Sequence, residues 1–120
     1  MDKGAALVAA SSSKWEDRAV AAEALGSMDD VEADAALGAL LNDEDLGVIE
    51  RAAACLLGLP TTRALELFTG AYAVVDDQRG DAMNDQLRVA VVRNPKLRPA
   101  LLELANGGEA GARAVLAWLG

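Results

Sequence analysis

Two helical patterns joined by an acidic turn occupy the stretch from Trp15 to Leu41, and both recur further along the chain. In the first pattern, apolar residues three and four apart predict one buried helix face, formed by Val20, Ala21, Ala24, Leu25 and Met28. Gly26 ends this helix, and Asp29 with Glu32 predicts a capping box that opens the next one. The buried face of the second helix is predicted to be Ala33, Ala36, Leu37, Leu40 and Leu41.

The first apolar stripe is repeated downstream. The shift that moves Gly26 onto Gly58 also moves the stripe onto a second apolar set: Ala52, Ala53, Leu56 and Leu57. A further shift, which moves Gly58 onto Gly120, reaches a third set: Ala114, Val115, Trp118 and Leu119. The sequence therefore predicts an internal repeat of helix pairs. Because one pair cannot bury its apolar face alone, the pairs are expected to stack.

In chain order the pattern predicts eight helices in four pairs. Ser13 and Glu16 form a second capping-box pattern, which starts the helix that carries the first stripe. The predicted helices cover residues 2–11, 13–26, 30–42, 46–58, 61–74, 81–93, 96–106 and 109–119. No linker or low-complexity tract divides them. The prediction is a single all-α domain over residues 1–120.

Several of these segments resemble a known family. Trp15–Gly26 (WEDRAVAAEALG) and Val48–Gly58 (VIERAAACLLG) are similar to the second helix of HEAT repeats of the phycobilisome-lyase type. Asp30–Leu41 resembles the first helix of such a repeat, and so does Leu97–Ala105, which includes the typical proline, Pro99. The resemblance implies a short α-solenoid of about four HEAT-like helix pairs. It also implies a module that binds a partner protein through the concave face of its inner helices.

The resemblance and the stripe alignment together assign candidate residues. Arg18 matches a family arginine that pairs with an aspartate of a neighbouring repeat, which implies Asp43 or Asp45 as its partner. The inner helices would present their partner-binding residues on the concave face: Trp15, Ala19, Glu23, Arg51, Cys55, Val89 and Arg93. Trp15 either anchors the interface or folds over the first helix pair as an end cap. Trp118, aligned with Leu56, is expected in the core.

Composition adds a compartment and a role for the single cysteine. Aromatic residues make up 3% of the chain and there are three prolines, which favours closely packed helices over strands. Cys55 has no partner for an internal disulfide, which favours a reducing compartment, and no apolar run is long enough for a leader or a membrane span. A cytoplasmic protein is therefore predicted. Cys55 is interpreted as a helix-packing residue rather than as a reactive thiol.

The charge of the chain bears on its partners. The net charge is −8 and the sequence pI is about 4.4, which disfavours nucleic acids and anionic membranes as partners. Residues 23–50 contain no Lys or Arg. This acidic half is interpreted either as a surface for a basic partner or as a source of solubility alone.

Candidate chemistry is sparse. The chain has no histidine, no glycine-rich phosphate loop, and paired carboxylates only in turns that precede helices, where they are interpreted as caps. A non-enzymatic protein without cofactor or metal is therefore predicted. Two alternatives stay open: a lyase-type accessory subunit that positions a small molecule or chromophore, and an acidic immunity- or antitoxin-type inhibitor of a basic partner. The oligomeric state is not predicted.

Overall fold

The computed structural model describes all 120 residues and is all-helical, with eight α-helices and no strand. The helices are α1 (Lys3–Ala9), α2 (Trp15–Gly26), α3 (Val31–Ala39), α4 (Leu46–Gly58), α5 (Thr62–Tyr72), α6 (Asp77–Arg93), α7 (Leu97–Asn106) and α8 (Ala110–Leu119). A 3₁₀ turn, Leu40–Asn42, extends α3. None of these helices combines the length and the hydropathy that crossing a lipid bilayer requires. The all-α prediction is confirmed.

The largest boundary error concerns α6, and two predicted caps are displaced. α6 begins at Asp77 rather than at residue 81, because the Asp76 carboxylate caps it. Asp30, not Asp29, caps α3 by accepting a 2.8 Å hydrogen bond from the N–H of Ala33. That N–H holds the pKa of Asp30 below its usual value. The predicted cap at Ser13 is wrong, since α2 follows an N-cap residue, Lys14, without a side-chain cap.

The starts of the five helices from α2 to α6 follow one spacing along the chain. α2, α4 and α6 begin at Trp15, Leu46 and Asp77, so the step from the first to the second equals the step from the second to the third. α3 and α5 begin at Val31 and Thr62, with the same spacing. This common separation in residues, equal to that between Trp15 and Leu46, is called the repeat spacing below. The predicted shift, which moves Gly26 onto Gly58, was therefore one residue too long.

Correcting the shift changes which face of α2 is buried. At the repeat spacing, four equivalent positions are buried in each of three helices: Arg18, Ala21, Ala22 and Leu25; Ile49, Ala52, Ala53 and Leu56; Gly80, Met83, Asn84 and Leu87. The stripe predicted for α4 is confirmed. In α2, Val20 was wrongly placed in the stripe, as it is 52% exposed. The error arose because Arg18, the first member of the true stripe, is charged.

The first six helices form two rows that share one core. α2, α4 and α6 pack side by side, and α1, α3 and α5 lie against them while packing on one another. The core lies between the rows, and its largest fully buried side chains include Phe68, Leu25, Leu37, Leu41 and Ile49. This arrangement leaves the outward side of α2, α4 and α6 open.

The last helix pair departs from this order. The sequence predicted that α8 carries the third copy of the stripe in a stack of helix pairs, but α8 packs mainly against α5 and α7. Its close approach to α5 requires Gly111, where an added Cβ would lie 1.9 Å from the carbonyl oxygen of Thr69. Ala114 and Trp118, predicted to be buried, are exposed. The Arg88 guanidinium of α6 lies 4.9 Å from the centroid of the Trp118 ring, a cation–π distance.

Candidate functional site

The outward side of α2, α4 and α6, called the central face below, carries most of the candidate residues. On or beside it, Glu23, Arg51, Val89 and Arg93 are exposed and Cys55 is half-buried. Trp15, 49% exposed, stands at the start of α2. Ala19 is a correction: it is 5% exposed and belongs to the hydrophobic core, so its side chain is not available to a partner.

Glu23 and Arg51, predicted as separate binding residues, form an ion pair with each other. Arg51 Nη1 donates to Glu23 Oε1, and the pair bridges α2 and α4. Both side chains are more than half exposed, so the pair adds little to stability. The pair places two opposite charges next to each other on the central face.

Cys55 lies at a close contact between α2 and α4. A Cβ added at Gly26 would lie 2.8 Å from the Cβ of Cys55, so the glycine is needed for this approach. Burial raises the pKa of the Cys55 thiol, and the charge of Glu23 raises it further while Arg51 opposes them. A raised pKa leaves little thiolate at neutral pH, which agrees with a packing role for Cys55.

A groove of about 190 Å³ opens on the central face between α4 and α6. It is lined by Ala54, Leu57, Gly58, Gln86, Val89, Ala90, Arg93 and Asn94. Val89 and Arg93 were predicted as binding residues, and the other six were missed. The repeat spacing offers a signal for the groove, because it pairs Val89 of α6 with Gly58 of α4.

A larger cavity, about 650 Å³, lies where the end of α4 and the start of α5 meet α7. Its walls are mainly leucines with Pro60, and its charged members are Lys96 and Glu103. Leu57 and Asn94 line both this cavity and the groove, so the two adjoin. The cavity could not be predicted from the sequence, because the placement of α7 does not follow the repeat.

At the other end of the central face, the starts of α2 and α6 are joined to the turn before α4 by an ion-pair network. Arg18 donates through Nε and Nη2 to the two carboxylate oxygens of Asp43, at 2.8 and 3.0 Å, which confirms one of the two predicted partners. Arg79 of α6 donates through Nε to the carbonyl oxygen of Asp43 at 2.8 Å. Through the turn that carries Asp43, α2 and α6 are both tied to the start of α4, which fixes the central face as a unit.

Comparison of the chain with protein-family models, with curated proteins and with solved structures gave no match. No group of three or more His, Cys, Asp or Glu side chains is arranged to hold a metal ion. The five groups with a shifted pKa belong to ion pairs, to a helix cap or to the contact between α2 and α4: Lys3, Arg18, Asp30, Asp43 and Cys55.

Proposed function

We propose that this protein is a non-enzymatic interaction module, a short HEAT-like α-solenoid that binds a partner protein through its central face. The even spacing of the helix starts and the two rows of helices support the solenoid assignment, together with the resemblance to HEAT repeats. The observation that carries the functional proposal is the groove between α4 and α6. It is open, lies on the central face and contains two of the candidate residues, Val89 and Arg93.

The groove suits a protein side chain. Its apolar wall is formed by Ala54, Leu57, Val89 and Ala90, and Arg93 stands at its edge with exposed donors. Interfaces place an apolar anchor in such a depression and surround it with polar groups, and arginine is enriched among their strongest contributors. At about 190 Å³ the groove is smaller than the roughly 300–1,000 Å³ of small-molecule pockets.

The charge of the chain supports a partner with a basic surface. Residues 23–50, which form the end of α2, all of α3 and the start of α4, contain no Lys or Arg. Arg51, the first cation after them, is paired with Glu23. Complementary charge speeds the encounter of two proteins and favours one class of partner, so the surface formed by residues 23–50 would attract a basic protein.

The test uses paired substitutions in α6. The partner is first captured from the native cell with the wild-type protein, and its affinity for purified variants is then measured by calorimetry. We expect Val89→Asp with Arg93→Glu to weaken binding by about 2 kcal/mol or more, as for interface anchors. The melting temperature should barely change, since both residues are exposed.

The control is Val92→Asp, the same change on an exposed valine of α6 that does not line the groove. It should bind the partner like the wild type. Equal affinity of the partner for the groove variant and for the control would remove the groove from the binding site.

A second candidate function has one observation in its favour. The 650 Å³ cavity beside α7 lies within the usual volume range of small-molecule pockets and combines leucine side chains with a few polar groups. It would serve the alternative in which the protein positions a small molecule. Native mass spectrometry of freshly purified protein separates the two functions, because a bound compound adds a defined mass that denaturation removes.

A further inference from the structure

A third cavity, of about 310 Å³, lies between the α2–α3 turn and the α4–α5 turn. It shares no lining residue with the groove on the central face. Its walls are Gly26, Ser27, Met28, Asp29, Asp34, Leu59, Pro60 and Thr61. The cavity therefore combines two carboxylates with the apolar surface of Met28, Leu59 and Pro60.

Asp34 is the unusual member of this wall. It is 2% exposed, and its Oδ2 accepts hydrogen bonds from both Nε and Nη2 of Arg63, at 2.9 and 2.6 Å. Its Oδ1 is buried and has no donor at all. A buried carboxylate oxygen without a donor is unfavourable, and a ligand that brings a donor would remove that cost.

The surrounding charges favour a cation as that ligand. Two carboxylates line the cavity, those of Asp29 and Asp34, and two more, those of Asp30 and Glu32, lie between them in the sequence. Lys3 pairs with Asp30 and Glu32, and Arg63 pairs with Asp34, so two cations face four anions. α2 and α4 also end here without a basic residue in their last turns, which leaves the negative ends of both helix dipoles uncompensated.

The N-termini of α3 and α5, the positive ends of their helix dipoles, also lie at this cavity and are already capped. Asp30 caps α3, and the hydroxyl of Thr61 caps α5 by accepting from the N–H of Ala64 at 3.2 Å. The cavity therefore offers acceptors and negative charge to a guest. An anionic guest would meet Asp29 and Asp34 without a free helix N-terminus to offset them.

From this arrangement we infer that the cavity binds a lysine or arginine side chain of a partner protein, with Asp34 Oδ1 as the acceptor. The inference rests on the proposed protein-binding function and adds a second contact site to it. The apolar stem of the basic side chain would pack on Leu59 and Pro60. Oδ1 is closed to solvent in the free protein, so the guest reaches it only if the wall of the cavity yields.

The experiment needs no partner protein. Methylguanidinium chloride is titrated into the ¹⁵N-labelled full chain at constant ionic strength, and backbone amide shifts are followed by NMR; methylurea, a neutral molecule of similar shape, is the matched probe. We expect saturable shifts at Gly26, Ser27, Asp29, Leu59 and Thr61 with the cation only. Asp34→Asn should weaken this binding about tenfold, the loss of a hydrogen bond to a charged group.

A second variant guards against an indirect effect through Arg63. Ser27→Trp fills the cavity from an exposed position and leaves Asp34 and Arg63 in place, so it should abolish the shifts. Asp85→Asn, which removes an exposed carboxylate of α6, should leave them unchanged. Absence of saturable shifts in the wild type, or unchanged binding in Asp34→Asn, would overturn the inference.

The experiments test the groove and the cation site independently of each other. Retained methylguanidinium binding in the Val89→Asp, Arg93→Glu variant, with loss of the captured partner, supports both. Loss of the probe in Asp34→Asn while the groove variant still holds the partner would support the cation site and contradict the groove.

Discussion

Replacement of Asp43 by alanine is expected to lower the free energy of unfolding by about 3 kcal/mol, the cost of leaving one member of a buried ion pair without the other. The side chains of Arg18 and Asp43 are 10% and 9% exposed and share two hydrogen bonds. The substitution also removes the acceptor of the Asp45 N–H, at 2.9 Å. Urea denaturation of the purified variant measures the change.

Glu44→Ala is the control for this variant. Glu44 is next to Asp43 and reaches to 4.0 Å from Arg18, but its side chain is 87% exposed. Its removal should change stability by less than about 0.5 kcal/mol. A double variant, Arg18→Leu with Asp43→Leu, should recover much of the loss, because no charge is then left unpaired. Equal costs for Asp43→Ala and Glu44→Ala would mean that the ion pair does not hold the helices together.

The same pair predicts an acid-sensitive contribution to stability. Burial alone would raise the pKa of Asp43, but the hydrogen bonds from Arg18 and from the N–H of Asp45, with the charges of Arg18 and Arg79, hold it below the usual 3.8. A carboxyl whose pKa is lower in the folded state stabilises the fold above its unfolded pKa. That stability is lost as the pH falls through the folded pKa, below 3.8. The double variant should lose less stability than the wild type over this range.

The second large effect is expected at Gly111. Gly111→Ala should destabilise the protein by about 3 kcal/mol, at the upper end of overpacking costs, because the new Cβ would lie 1.9 Å from a backbone oxygen of Thr69. Neither backbone can yield without moving α8 away from α5. Thermal and urea unfolding measure the loss, and near-ultraviolet circular dichroism reports on the neighbouring Trp118.

Gly70→Ala is the matched control, since Gly70 also lies in α5 and an added Cβ meets no heavy atom within 4 Å. It should stabilise the protein by roughly 0.5–1 kcal/mol, the usual gain from alanine inside a helix. A tolerated alanine at Gly111 would show that α8 is not held against α5 as closely as described.

The helices could be predicted from the sequence because each carries its own local pattern. The stripe of α4 was predicted correctly since its members are apolar, whereas the stripe of α2 was missed by one residue since Arg18 is one of them. The placement of α8 on α5 could not be predicted, because it depends on the contact between Gly111 and Thr69, which no local pattern encodes.

The candidate site was predicted in part. Glu23, Arg51, Val89 and Arg93 are exposed as predicted, but the pairing of Glu23 with Arg51 and the cavities were not predicted, since they join separate helices. The spacing of opposite charges along the sequence is a signal that could predict such ion pairs. Opposite charges that pair across neighbouring helix pairs stand slightly less than one repeat apart, 28 residues for Glu23 with Arg51 and 29 for Asp34 with Arg63.

The position of α8 also has a consequence for how the chain folds. Ion pairs between neighbouring repeats, such as Asp34 with Arg63, close shorter segments of chain than the contact of Thr69 with Gly111 does. A longer segment costs more chain entropy to close, so the two rows should form first and α8 should dock late. An interaction formed after the transition state affects unfolding more than folding. Gly111→Ala should therefore speed unfolding in stopped-flow measurements and leave the folding rate nearly unchanged, so that the docking of α8 lengthens the lifetime of the folded state.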